Sequence, residues 1–267
     1  MYNVEVSTPY GALKARFRSP GRQGGLVVIF LGGLLSDQLA TQDSRAHVLD
    51  TLCDNRGIGS IRFNYTAHGW STSTRSEGEF RDVSVTRMVR DAIQVVEYFS
   101  PHKIAFAASS IGAGLLPFLL EHLEGKHTVD GCFTVSAVSP DKLKDFVTSL
   151  LSPIDRDRLA NGEDVDLCSS TLPVTIQVNR SQMEDLSAYR ELPEHCNFAI
   201  SRRPSLLRGS RDGLSTPLYN NALARTLGGS EGDVVVLESD HEIPFEPMLR
   251  SFSPWLNASS LAEAIAK

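Results

Sequence analysis

The sequence predicts an α/β fold: a mostly parallel central sheet with helices on both faces, in one domain over residues 1–267 with a cap inserted at about 141–203. Three observations lead there. Short apolar runs alternate with longer stretches at helical spacing, the pattern of a sheet whose strands are joined by helices. The runs themselves, such as LVVIFL over Leu26 to Leu31, are continuous rather than alternating, as in strands covered on both faces. Between Pro140 and Arg203 this regularity lapses for longer than a structureless connection in a compact domain normally lasts, which argues for an insertion with structure of its own.

The elements follow in order. Asn3 to Thr8 and Ala12 to Phe17 alternate around a Pro-Tyr-Gly break and read as a hairpin. After the Leu26 to Leu31 strand and a Gly-Gly pair, a helix is expected over Gln42 to Asn55, then a strand over Gly59 to Phe63. Asp82 to Phe99 carries apolar residues at helical spacing. Ile104 to Ala108 is a strand, Ile111 to Leu123 a helix, and Gly131 to Val138 a strand. Within the insertion, Asp141 to Leu151 and Gln182 to Leu192 read as helices, Asp155 to Asp166 as a charged segment, and Val174 to Val178 as a strand. Ser205 to Gly209, Pro217 to Leu227 and Asp233 to Leu237 resume the strand–helix order, and a helix closes the chain.

Composition narrows the function. A net charge of −6 argues against nucleic acid as a partner, which calls for a basic patch. Cys53, Cys132, Cys168 and Cys196 are widely spaced and read as reduced thiols. The first residues have neither a basic nor an apolar leader segment, and no apolar run approaches the roughly 18 residues that span a membrane. A cytoplasmic protein is expected. No H-E-x-x-H, P-loop or dinucleotide fingerprint occurs, so neither metal nor cofactor is expected.

The stretch Lys103 to Gly114, KIAFAASSIGAG, carries the chemistry. A strand, a sharp turn and a helix in immediate succession are the setting of a nucleophile elbow, whose pattern is small-x-nucleophile-x-small. With Ser110 as nucleophile the small positions fall on Ala108 and Gly112; with Ser109 one of them falls on Ile111, which is too large. The competing reading is a helix N-cap, for which a Ser-Ser pair also serves.

A serine nucleophile needs a base, itself oriented by a third group. His241, four residues beyond the strand VVVL, sits where a C-terminal base belongs in the order serine, acid, histidine. His68 is a second loop histidine that can line the site; His47, His102, His122, His127 and His195 are read as structural or solvated. Asp212 follows the Ser205 to Gly209 strand and is the expected acid, with Asp141 its competitor and Asp240 too close in sequence to His241 to reach its ring. Two backbone N–H groups must face the developing oxyanion: Ile111, directly after the nucleophile, and Leu34, after Gly32 and Gly33. In the insertion Phe146, Leu150, Leu151 and Leu159 are apolar among charges, and Phe146 and Leu150 are the expected substrate-binding residues.

Phe30 to Asp37, FLGGLLSD, resembles the F-L-x-G-[YF]-x-S-D segment of small α/β-hydrolases related to the mitochondrial acyl-protein thioesterase. Arg62 to Ser71, RFNYTAHGWS, resembles their R-F-D-Y-x-G-H-G-x-S. Asn64, Ala67 and Ala108 depart from that pattern. Past Pro140 a weaker similarity points to the acyl-transferase (myristoyl-ACP thioesterase) of bacterial luminescence, whose elbow is also Ala-x-Ser. The resemblance implies the α/β-hydrolase fold and cleavage of an acyl ester or thioester, on a small or carrier-bound substrate, with Ser110, Asp212 and His241 as triad. Transfer of the acyl group to another acceptor, and a catalytically silent binding protein, are the alternatives.

Overall fold

The computed structural model describes residues 1–21, 25–40, 45–167, 176–189, 192 and 200–265, the last seven of these by backbone only. The expected helix start at Gln42, strand residues Val174 and Thr175, helix residues 190–191, Cys168, Cys196 and His195 lie outside the described residues.

An antiparallel hairpin opens the chain, β1 (Tyr2–Thr8) with β2 (Gly11–Arg18). The other sheet strands are β3 (Leu26–Leu31), β4 (Gly59–Phe63), β5 (Lys103–Ser109), β6 (Thr128–Val135), β9 (Ser205–Gly209) and β10 (Val234–Leu237). They form one eight-stranded sheet in the order β1-β2-β4-β3-β5-β6-β9-β10, antiparallel as far as β2–β4 and parallel from β4 onward. Because strand side chains alternate, each buried strand feeds two cores. Val27, Ile29 and Leu31 face helices α2 (Val85–Phe99) and α4 (Leu116–Leu123). Leu26, Val28 and Phe30 face α1 (Arg45–Asp54) and α9 (Phe245–Ile265). This two-sided burial is why the strand runs are uninterrupted in the sequence.

Several expected boundaries move for local reasons. The helix expected from Asp82 begins at Val85: Phe80–Asp82 is a 3-10 turn, and the Ser84 hydroxyl caps the helix by accepting the Arg87 N–H at 3.1 Å. The helix expected over Ile111 to Leu123 divides at Leu115 into α3 (Ile111–Gly114) and α4, since Pro117 has no N–H to continue the ladder. The strand expected over Gly131 to Val138 runs instead over Thr128 to Val135, because Ser136 turns the chain with φ 51°.

Between β6 and β9 lie α5 (Pro140–Leu150), α6 (Pro153–Ala160), the antiparallel pair β7 (Val165–Leu167) and β8 (Ile176–Val178), and α7 (Arg180–Ala188). The first half of the charged segment expected over Asp155 to Asp166 is thus helix, started by the Ser152 side chain and Pro153, and its end enters β7. This excursion shares the α2-side core through Leu143, Val147, Leu159, Val178, Met183 and Leu186. Polar contacts also tie it down: the Gln182 side-chain amide donates to the carbonyls of Phe80 and Val83, both at 2.8 Å, and Thr86 donates to Asp185.

Candidate active site

β5 delivers Ser109 and Ser110 to the end of the sheet, and Ser110 turns the chain into α3 with φ 52° and ψ −128°. A non-glycine residue held there costs on the order of 1–3 kcal/mol unless its surroundings enforce it. They do: the Ser110 N–H donates to Val135 at 2.9 Å, and its carbonyl accepts from Val138 at 3.1 Å. The turn lays α3 against β3 so closely that a Cβ on Gly112 would lie 2.4 Å from the Gly32 carbonyl oxygen. Only glycine fits at 112, the small position that the elbow reading requires two residues after Ser110.

The His241 ring bridges the other two side chains. Its Nε2 lies 3.2 Å from Ser110 Oγ and its Nδ1 2.8 Å from Asp212 Oδ2. With Asp212 as acceptor, Nδ1 carries the proton and Nε2 is the free lone pair facing the serine. The Asp212 side chain is fully buried, and its Oδ1 accepts from the N–H groups of Leu214 and Ser215 at 2.9 and 3.0 Å. Burial alone pushes this carboxyl up, but the hydrogen bonds from His241, Ser215 and Leu214 together take it below the usual carboxylate value. Asp141 stands apart, in the first turn of α5, where a carboxylate complements the helix N-terminus. Asp240 is exposed and pairs with Arg211 at 3.1 Å.

A contact that sequence reasoning missed steadies the histidine: Ser136 Oγ donates to the His241 carbonyl at 2.7 Å. Ser136 sits at positive φ one residue past β6, and nothing in the sequence marks it.

The expected oxyanion donors flank the serine. Gly33 approaches so closely that a Cβ on it would meet Ser110 Cβ at 3.0 Å, and Leu34 follows. Neither the Leu34 nor the Ile111 N–H has a hydrogen-bond acceptor among the described residues. The loop carrying Leu34 is pinned by a polar knot. Asn64 Nδ2 donates to Asp37 Oδ1 at 2.8 Å while its Oδ1 accepts from the Gln38 N–H at 2.8 Å. Asp37 also accepts from Thr74 Oγ1, Trp70 N–H and Leu39 N–H. Burial raises the Asp37 carboxyl, and these donors, Asn64 first, bring it below its ordinary value. An amide at 64 therefore makes sense: a carboxylate there would face a second carboxylate at 2.8 Å with no proton to give it.

Ser110 and His241 open on a cavity of about 680 Å³ at the carboxyl ends of the parallel strands, the usual ligand position in such sheets. The excursion contributes Leu143, Phe146, Val147 and Leu150; α1 and α9 contribute Leu49, Phe245 and Met248. Phe146 and Leu150 also line it, partly exposed at 39% and 36%. Leu151 and Leu159 do not; both are buried in the excursion's own packing. Sequence reasoning missed Leu143 and Val147; their i, i+4 spacing on one face of α5 was the available signal, and the sequence offers no way to see which face turns inward.

His68 corrects an expectation: it does not line the cavity. It is buried between Tyr65 and Phe80, with Nδ1 donating to the Thr66 carbonyl at 2.8 Å. Burial takes its pKa down from 6.5 to about 4, against the opposing effect of the Thr66 bond. The unfolded chain then binds a proton that the folded one refuses, so stability is intact above pH 6.5 and falls as pH drops toward 4. The effect is about 3 kcal/mol at pH 4. Urea denaturation at pH 7 and 4.5 should show less acid sensitivity in His68→Asn than in the wild type; equal sensitivity would refute the assignment.

No family model and no curated protein sequence matches the chain. Solved structures do. A hydrolase-assigned protein from Agrobacterium vitis S4 superposes with TM-score 0.77 at 24% identity, over 97% of each chain. Mouse alpha/beta hydrolase domain-containing protein 10 superposes with TM-score 0.74 at 16% identity, over 99% of this chain and 100% of that one. Est1E from Butyrivibrio proteoclasticus, solved with ferulic acid bound, gives 0.71 at 13%, over 99% and 100%. The protein has the α/β-hydrolase fold.

Proposed function

We propose that the protein is a serine hydrolase that cleaves an acyl ester or thioester through an acyl-enzyme. The observation that carries this reading is the unbroken chain of contacts from Ser110 through His241 to Asp212 at the mouth of an apolar cavity. Ser110 Oγ attacks the carbonyl carbon as His241 Nε2 takes its proton; the carbonyl electrons move to oxygen, held by the Leu34 and Ile111 N–H groups. As the tetrahedral centre collapses, the bond to the leaving oxygen or sulfur breaks and His241 delivers the proton to it. Water, activated by the same histidine, then releases the acid and restores Ser110. Asp212 keeps the ring in the required tautomer throughout. No step calls on a metal or cofactor.

In this reading the excursion is a cap over the site, and the enzyme works in the cytoplasm, where its thiols stay reduced. Among the described residues no helix is long and apolar enough to cross a membrane. The acyl group arrives on a small leaving group or on a carrier. Phe146 and Leu150 contact it, each buried methylene contributing about 0.8 kcal/mol. Phe146→Ala or Leu150→Ala should therefore lower kcat/KM more for a medium-chain acyl thioester than for an acetyl one. Equal losses on both, with a lowered Tm, would leave these residues as packing only. Turnover of the same thioesters with product analysis tests the reaction: free acid supports hydrolysis, acyl appearing on an added alcohol or amine makes the protein a transferase, and no turnover leaves a silent fold.

A further inference from the structure

Arg62, in β4, is a buried charge that the proposed reaction does not use. It is 1% exposed and is not on the cavity wall. Its Nε lies 3.3 Å from Oδ2 of Asp50 in α1, which is equally buried, and Asp50 Oδ1 accepts from Ser60 Oγ and Arg18 Nε. Stability alone is a weak reason for such a pair, because apolar side chains of similar volume often do as well or better. The guanidinium also reaches the loop that carries Leu34: Nη1 donates to the Gln38 carbonyl at 3.2 Å and to the Ala40 carbonyl at 3.5 Å.

Asn64, two residues on, accepts the Gln38 N–H at 2.8 Å, so the end of β4 grips residue 38 by both of its backbone groups. The Gln38 side chain then donates to Ser36 Oγ at 3.1 Å, and a Cβ on Gly32 would run into both. Ser36 in turn closes a tight turn by donating its N–H to the Gly33 carbonyl at 3.2 Å, with Leu34 and Leu35 between them. Leu35 stands there at φ 60°, where a turn usually has glycine. A leucine stays in that conformation only when its surroundings over-determine it. Residue 38 is the fixed point, and the strained turn carries the Leu34 N–H assigned to the oxyanion.

We propose that Arg62 is a positioning residue for the oxyanion site: through Gln38 it holds the Gly33–Ser36 turn in the strained form that presents the Leu34 N–H. The inference rests on the serine-hydrolase reading above. Arg62→Met keeps the bulk and removes the donors. On p-nitrophenyl butyrate it should lower kcat about thirtyfold with KM within about twofold, since a misplaced donor is felt in the transition state more than in the bound substrate. A trifluoromethyl ketone gives a second readout. Ser110 Oγ adds to its carbonyl carbon, the proton passes to His241, and the carbonyl oxygen becomes an oxyanion. Its Ki should rise by about the factor by which kcat falls. Arg62→Lys, which keeps the charge and a donor, should recover part of both. Gln38→Ala, at a half-buried position, breaks the same chain one link later and should move both readouts the same way. Arg62→Met/Asp50→Asn strands no carboxylate and replaces the single variant if that one fails to fold. Values of kcat and Ki within about twofold of wild type in the folded Arg62 variant or in Gln38→Ala, whatever the Tm, would overturn the proposal, as would a change in KM alone. Wild type that neither turns over the ester nor takes up a fluorophosphonate would instead sink the hydrolase reading beneath it.

Discussion

Ser110→Ala should abolish acyl-enzyme formation and lower kcat by about 10⁴-fold or more, as removal of a triad nucleophile does elsewhere. Ser109→Ala should leave a measurable enzyme. The two hydroxyls are neighbours in sequence but not in environment. Ser109 is the last residue of β5, paired with Val135, whereas Ser110 sits in the strained turn with its Oγ 3.2 Å from His241 Nε2. Alanine at 110 keeps the turn, whose hydrogen bonds are all from the main chain, so Tm should change little while turnover is lost. Steady-state kinetics with both variants decides it, and a dead Ser109→Ala enzyme would move the elbow by one residue.

Asp212→Asn should fold and lose activity by about 10⁴-fold, through the tautomer of His241. The introduced amide oxygen can still accept from Leu214 and Ser215, so the loop survives. Its nitrogen then faces His241 Nδ1 as a donor. The imidazole proton is forced onto Nε2, which can no longer take the proton of Ser110. Asp141→Asn, in the first turn of α5, should be mild. The reverse ranking would place the acid after β6 and leave the Asp212–His241 contact without a catalytic part.

The parallel sheet was legible because burial on both faces writes each strand as an unbroken apolar run, and the sharp strand-to-helix turn at Ser110 because close packing of α3 on β3 demands glycine at 112. Likewise the order of Ser110, Asp212 and His241 follows from where strand ends fall in such a sheet. What stayed hidden depends on contacts between segments far apart in the chain. His68 reads as a loop histidine near the site until Tyr65 and Phe80 are seen to enclose it. Asn64 reads as a mere departure from a family pattern until Asp37 is found beside it. Phe146 and Leu150 line the cavity while Leu151, where the chain leaves α5 in extended backbone, is buried in the excursion's packing, a distinction composition does not carry.

The central claim is that Ser110 is an activated nucleophile in the folded protein. Incubation with a fluorophosphonate followed by peptide mass mapping tests it most directly. A single adduct is expected on Ser110, absent from Ser110→Ala, strongly slowed in Asp212→Asn, and lost when the protein is denatured first. No adduct on the native protein, or an adduct carried by Ser109, would contradict the account.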